Sequence, residues 1–277
     1  MHLKINNLLI DLSSPIVMGI VNVTPDSFYF NSRFNSDKSI LKCVEKMLIE
    51  GASIIDLGGY STRPQANIIS AEEEISRLSK ALEIILLKFP DINISVDTYR
   101  SNVARYVVEN YKVGMINDIS GGSLDNFMFE TIADLKVAYV LMHMRGNPRN
   151  MQNMTDYNFL ISEIIDFLQK KIFQLHLLGV YDVVIDPGFG FAKTIEQNFE
   201  ILNKLHYLKE LMMPILVGLS RKSMLYKTLN IEPEDALNAT TVANVLALQG
   251  GASILRVHDV KEAVQAVKIY NSYMQSV

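Results

Sequence analysis

Short apolar runs rich in β-branched residues recur along this chain. Each gives way to polar or glycine-rich residues and then to a stretch with helical spacing. The runs are PIVMGI (15–20), SIIDL (53–57), NISVD (93–97), GMIN (114–117), VAYVLM (137–142), DVVID (182–186), PILVG (214–218) and SILRV (253–257). Their length and composition read as strands. Because they are nearly continuous rather than alternating, both faces must be buried, which is the condition of a parallel sheet covered by helices. Eight strand-then-helix units in 277 residues predict an α/β fold, a closed (β/α)8 TIM barrel formed as one domain over residues 1–277. A doubly wound open sheet is the rival, but no G-x-G-x-x-G turn follows the first run.

The segments between the runs fit this alternation. SAEEEISRLSKALEIILLKFP opens with Ser70 and Glu73 in capping-box register, sets Ile75, Leu78, Leu82, Ile85 and Leu86 on one face, and stops before Pro90. Residues 158–178 repeat the pattern with Leu160, Ile164, Phe167, Leu168, Ile172 and Leu175. Gly51 and Gly179 stand where glycine C-caps belong. The first dozen residues, MHLKINNLLIDL, are expected to add an N-terminal β-hairpin under the barrel, being too short and too polar for a signal core or a membrane span.

Charge and cysteine content remove several functions. With 26 basic against 30 acidic residues the net charge is -4, whereas a surface that tracks nucleic-acid phosphates needs a Lys/Arg excess. The single cysteine, Cys43, excludes a disulfide framework and a thiolate zinc site, and makes a reducing cytoplasm the expected compartment. Neither nucleic acid nor membrane is an expected partner.

In a barrel of this kind chemistry gathers at the C-terminal ends of the strands, and there the sequence is polar. NVTPDSF (22–28) follows the first run and GGYSTRP (58–64) the second. Asp97 ends the third, Asn117 the fourth, and the fifth leads into HMRGNP. Asp186 ends the sixth with PGFGF behind it, LSRKS (219–223) follows the seventh, and Arg256 and His258 belong to the eighth. Each has a plain alternative: Asp97 or Ser220 as a helix cap, Asn117 and Asp118 as turn formers, Asn22 and Asp26 as loop punctuation, His258 as a structural histidine. Against these stands their convergence on one mouth. Asp97, Asn117, Asp186 and Lys222 offer two carboxylates, an amide and a cation, a set suited to the edge of an aminopyrimidinone ring. Arg63, Arg256 and His258 suit an anion, and barrels often hold phosphate beside strands seven and eight.

In order along residues 15–260, the blocks NVTPDSF, DLGGYSTRP, SVDT, NDISGG, MHMRGNP, DPGFGFAKT, LSRKSML and LRVHD resemble the dihydropteroate synthases, the folate-pathway family targeted by sulfonamide drugs. The resemblance implies a transferase that condenses 6-hydroxymethyl-7,8-dihydropterin diphosphate with 4-aminobenzoate to 7,8-dihydropteroate and pyrophosphate by an SN1-like step. It further implies Mg2+ and a cytoplasmic homodimer formed through the later helices. By position, Asp97, Asn117, Asp186 and Lys222 match pterin-binding residues, with Met142 and Arg256 flanking the ring. Asn22 matches the Mg2+ contact, and Arg63, Arg256 and His258 match the diphosphate clamp. Thr62, Pro64, Phe189 and Ser220 match the 4-aminobenzoate side, and Asp26 and Phe28 a loop that closes over it. The resemblance assigns the catalytic work to Asp97, Asp186, Lys222, Arg256 and His258. The chain departs from the family's usual residues at Tyr29 to Arg33, Tyr60, Gln65 and Ala192, which bears on loop geometry and drug sensitivity.

Two rivals share parts of this pattern. A methyltetrahydrofolate-binding methyltransferase barrel would keep the ring readers but has no use for a diphosphate clamp, so STRP, SRKS and RVHD together oppose it. A non-catalytic pterin-binding barrel would tolerate loss of Asn22, Arg63, Lys222, Arg256 or His258, and all are present.

Overall fold

The computed structural model describes residues 1–6, 8–23, 36–60 and 69–276. The first dozen residues form the expected antiparallel hairpin, β1 (His2–Ile5) with β2 (Leu8–Asp11), in the register His2 to Asp11. A parallel eight-stranded sheet follows: β3 (Ile16–Asn22), β4 (Ile54–Gly58), β5 (Ile94–Asp97), β6 (Met115–Asp118), β7 (Ala138–Met142), β8 (Val183–Asp186), β9 (Leu216–Val217) and β10 (Ile254–Val257). Its order, β8-β7-β6-β5-β4-β3-β10-β9, brings β8 and β9 to the two edges, and a parallel bridge between Ile185 and Ile215 joins them. The result is the predicted TIM barrel.

Two strand lengths differ from the runs. The first strand continues to Asn22 because Val21 and Asn22 pair with Leu57 and Gly58, so Asn22 is a strand end rather than a loop residue. The seventh shrinks to Leu216–Val217, since Pro214 at its start has no N–H for the ladder.

The helices are α1 (Ser36–Glu50), α2 (Ala71–Lys88), α3 (Ser101–Tyr111), α4 (Met128–Leu135), α5 (Leu160–Leu177), α6 (Ile195–Asn203), α7 (Ser223–Leu229), α8 (Leu237–Gly250) and α9 (Val260–Met274). Ser70 caps α2 by accepting from the Glu73 N–H at 3.2 Å, and Leu78, Leu82 and Ile85 are buried on its inner face. Leu160, Ile164, Leu168, Ile172 and Leu175 are the buried stripe of α5. Gly51 and Gly179 take φ of 102° and 79° after α1 and α5, the left-handed conformation a glycine C-cap supplies.

Strand side chains alternate faces, and the two faces form separate cores. Ile55, Leu57, Val96, Ile116, Leu141, Ile185, Val217 and Leu255 face outward into the layer packed by the helices. Met18, Ile54, Met115, Val140, Val184 and Ile254 instead join Leu3, Ile5 and Leu12 in a cluster inside the barrel, closed below by the hairpin. Each such buried Leu or Ile contributes about 1.5–3 kcal/mol. Two residues further along five of these strands, on the same inner face, stand Asp56, Asn117, Met142, Asp186 and Arg256. The interior therefore changes from apolar at the hairpin end to polar at the C-terminal end.

Candidate active site

Arg256 organises the upper layer. From β10 its Nε donates to Asp56 Oδ2 at 2.6 Å and its Nη2 to Asp97 Oδ2 at 2.7 Å, while Asn117 Nδ2 donates to the same Asp56 oxygen at 3.0 Å. One guanidinium thus bridges two carboxylates from adjacent strands, and an amide completes the group. Asp56 is fully buried and was not among the residues singled out from the sequence. Its signal is a carboxylate inside an otherwise apolar run, two residues after inward-facing Ile54. Asp56 Oδ1 and its register neighbour Ser95 Oγ are buried with no hydrogen-bond partner among the described residues, so the interior keeps polar capacity beyond the protein's own contacts.

A second group forms around the turn after β8. Asp186 Oδ1 accepts from the Gly188 N–H at 2.7 Å, and Lys222, just beyond β9, donates its Nζ to the Phe189 carbonyl and lies 4.7 Å from the Phe191 ring centroid. Gly188 has φ of 73°, and a Cβ there would run into the His143 carbonyl, so this position requires glycine for both conformation and space. Phe189 is fully buried and meets Lys222 through its carbonyl oxygen. Met142 packs with Ile119, Met144, Met151 and Ala192 beside this turn.

A third group joins β9 to β10. Ser220 Oγ lies 3.0 Å from His258 Nδ1 and accepts from the His258 N–H at 3.2 Å. The neighbouring Arg221 pairs with Asp259 at 2.9 Å, tying the two loops together. Asn22 ends β3 with its Oδ1 3.1 Å from the point a Cβ on Gly58 would occupy.

The plain alternatives mostly fail. Asp97 does not cap α3, whose N-cap is Arg100 with no side-chain bond. The N-cap of α7 is Lys222, not Ser220. Asn117 bonds across the barrel, whereas Asp118 is the turn former: it accepts from the N–H groups of Ser120 at 2.7 Å and Gly122 at 2.8 Å and from the Tyr139 hydroxyl at 2.6 Å. Arg256, grouped by sequence with both the ring edge and the anion clamp, is bonded here to the acidic pair. Asp26, Phe28, Thr62, Arg63, Pro64, Gln65 and residues 29–33 lie outside the described residues. Tyr60, at the edge of that segment, sits 5.8 Å from the Tyr99 ring and 5.5 Å from the Arg100 guanidinium.

Burial sets the electrostatics. It raises Asp97 to about 7; Arg256 opposes the shift and the nearby Asp56 carboxylate reinforces it. Burial also raises Asp186, against the pull of Lys222. It lowers Lys222 to about 8, against the pull of Asp186. Burial works against the charge on Arg256 too, but Asp56 and Asp97 outweigh it and hold the guanidinium protonated. Three carboxylates (Asp56, Asp97, Asp186) stand among the cations Arg256, Lys222 and Lys193, and their oxygens offer acceptors to a ring bearing N–H donors and positive charge.

The chain matches the sequence model of the family described as "Pterin binding enzyme" over residues 18–258. It is 40% identical over 271 residues to the dihydropteroate synthase of Escherichia coli (strain K12), spanning 96% of this chain and 94% of that protein. It is 42% identical over 269 residues to the "Folic acid synthesis protein fol1" of Pneumocystis carinii, spanning 94% of this chain and 36% of that longer protein. Among solved structures it is similar to Yersinia pestis dihydropteroate synthase in complex with a sulfonamide drug, with a TM-score of 0.93, 38% identity, and 99% of this chain and 100% of that chain covered.

Proposed function

Since the chain belongs to the pterin binding enzymes and, within them, to the dihydropteroate synthases, we propose that its polar barrel mouth reads the pterin edge and steadies the departing diphosphate. The reaction is that of folate biosynthesis: 6-hydroxymethyl-7,8-dihydropterin diphosphate and 4-aminobenzoate give 7,8-dihydropteroate and pyrophosphate. The enzyme is a transferase acting on small molecules. The observation that carries the site reading is the Arg256 bridge between Asp56 and Asp97, with Asn117 attached, at the strand ends that also bear Asp186, Lys222, Ser220 and His258.

In this reading Asp97, Asn117, Asp186 and Lys222 bind the pterin between Met142 and Arg256. The carbon–oxygen bond of the pterin methylene breaks with its electron pair leaving on pyrophosphate. The dihydropterin delocalises the resulting cation, and the Asp97 and Asp186 carboxylates favour that cation over the neutral ring. The lone pair of the aromatic amine forms the new carbon–nitrogen bond, and the nitrogen then passes its proton to solvent water. His258 and Arg63 hold the leaving group, and Arg256 adds positive charge beside it. Thr62, Pro64, Phe189 and Ser220 form the 4-aminobenzoate side, and Asp26 and Phe28 belong to the loop that excludes water.

Magnesium fits this donor set as an ion carried by the substrate. Among the described residues no group of three or more His, Cys, Asp or Glu could hold a metal, and Mg2+ commonly takes one or two protein oxygens together with substrate phosphates and waters. Asn22, whose amide oxygen lies 3.1 Å from where a Cβ on residue 58 would stand, would supply the protein contact. When bound with the diphosphate, Mg2+ would neutralise charge building on the leaving group.

A cytoplasmic homodimer completes the proposal. Val242 and Leu246, one turn apart on α8, are 53% and 47% exposed, and Ile269 and Tyr273 repeat the spacing on α9 at 72% and 57%, which supports pairing through the later helices. No described helix is long and apolar enough to cross a membrane.

The ionisations predict a bell-shaped kcat/KM for the pterin diphosphate. Below about 7 Asp97 takes up a proton and loses an acceptor, and above about 8 Lys222 loses its charge; both limbs lower the rate. A profile flat across both values would contradict the assignment of these two groups. The function itself is tested by complementation. Expressed in a bacterium lacking its own dihydropteroate synthase, the chain is expected to restore growth without supplied folate products, and failure with folded protein present would refute it.

A further inference from the structure

Lys193 takes no part in the reading above, yet its ammonium is held closely. The residue is 4% exposed. Its Nζ lies 3.0 Å from His143 Nδ1, 3.0 Å from the Gly188 carbonyl and 3.0 Å from the Phe191 carbonyl. These three near acceptors take up the three protons of an ammonium when His143 carries its own proton on Nε2, and the His143 carbonyl is a longer fourth contact at 3.5 Å. The imidazole is itself fixed, packed edge-on at 5.0 Å against Phe167 and at 6.1 Å from Tyr157.

The carbonyls that Lys193 holds bracket the one that Lys222 holds. Lys193 binds residues 188 and 191 and Lys222 binds residue 189, so two lysines grip a single short turn. The Gly188 N–H in that turn is the donor on Asp186 Oδ1, and the His143 N–H bonds the Asp186 carbonyl at 2.9 Å. Neutral groups already brace the turn: Asn198 Oδ1 accepts from the Gly190 N–H at 2.6 Å, and the Tyr157 hydroxyl donates to the Ala192 carbonyl at 3.0 Å. A buried ammonium costs far more than such braces. Its retention here needs a reason that rigidity alone does not supply.

We infer that Lys193 is a positioning residue for the condensation, fixing the turn on which Asp186 and Lys222 meet the pterin. The inference rests on the pterin-binding role proposed for those two residues. The charged and titratable groups facing this set are Asp186 on β8, Lys222 beyond β9, His143 and Arg145 beyond β7, Arg256 on β10 and Asp97 on β5. Burial lowers Lys193 to about 7, with Asp186 opposing. Burial raises Asp186, and Lys222, Arg256 and Lys193 each act to lower it. Removing the Lys193 charge therefore lets Asp186 hold its proton to higher pH.

The test is Lys193→Met, close in shape and uncharged, assayed in the full chain by pyrophosphate release across about pH 6 to 9. The KM for the pterin diphosphate is expected to rise about tenfold, with kcat changed far less and with Asp186, holding its proton longer, joining Asp97 in the acid limb of kcat/KM and moving that limb to higher pH. Unchanged pterin KM and acid limb would overturn the inference, and so would a fall in kcat alone, which marks a structural brace. Should Lys193→Met not fold, His143→Phe keeps the ring packing while removing the imidazole acceptor. It should shift KM and the acid limb in the same direction by a smaller amount, and a wild-type profile would count against the inference. The wild-type chain run in parallel separates the two claims: an inactive wild type overturns the pterin reading and this inference with it, whereas an active wild type with an indifferent variant overturns the inference alone.

Discussion

Arg256→Ala is expected to lower kcat/KM for the pterin diphosphate by roughly thirtyfold to a thousandfold, about 2–4 kcal/mol of transition-state stabilisation. Two losses combine. The cation beside the leaving group disappears, and Asp56 and Asp97, bonded to it at 2.6 and 2.7 Å, become neighbouring buried carboxylates without a counter-charge. Leaving a buried partner uncompensated costs about 3–5 kcal/mol, so a lower melting temperature is expected as well. The rate must therefore be expressed per folded molecule. A folded variant turning over within threefold of the wild type would remove Arg256 from the chemistry.

The second large effect is expected at Asp186. Asp186→Asn keeps the shape and an amide oxygen for the Gly188 N–H, but removes the charge opposite Lys222. The pterin should bind roughly ten- to a hundredfold more weakly, the range for losing a charge-assisted hydrogen bond. Affinity for 4-aminobenzoate should change far less. The Lys222 ammonium, lowered by burial and held up by Asp186, should deprotonate at lower pH in the variant, pulling the alkaline limb of the rate downward. Calorimetric titration with each ligand separates the outcomes, and equal weakening of both would undo the division of the pocket into a ring side and an amine side.

The barrel was readable because its evidence is local. Each apolar run is complete within a few residues, and the stripes of α2 and α5 follow from spacing alone. Strand ends were less so: β3 continues to Asn22 only because β4 offers Leu57 and Gly58 as partners, which no local pattern records. Residue types at the strand ends pointed to one mouth, and Asp97, Asn117, Asp186, Ser220, Lys222, Arg256 and His258 do lie there. Pairing within the mouth was not readable. Arg256 meets Asp56 across 200 residues and Asp97 across 159, and that choice depends on strand order and on which residues share the inner phase. Asp56 escaped notice because a single carboxylate in SIIDL reads as part of an outward strand until Ile54 is known to face inward. Lys193 was hidden similarly. A lysine after a glycine-rich turn ordinarily points to water, and only the fold shows it turned back against the Gly188 and Phe191 carbonyls.

The central claim is that one end of the barrel unites a reader of the pterin edge with a holder of the leaving diphosphate. The most direct measurement is pyrophosphate release by the purified chain with Mg2+, supplied with 6-hydroxymethyl-7,8-dihydropterin diphosphate, with 4-aminobenzoate, or with both. Release is expected only when both are present, with 7,8-dihydropteroate formed in equal amount. Release from the pterin diphosphate at the same rate without the amine, or none with both substrates, would contradict it.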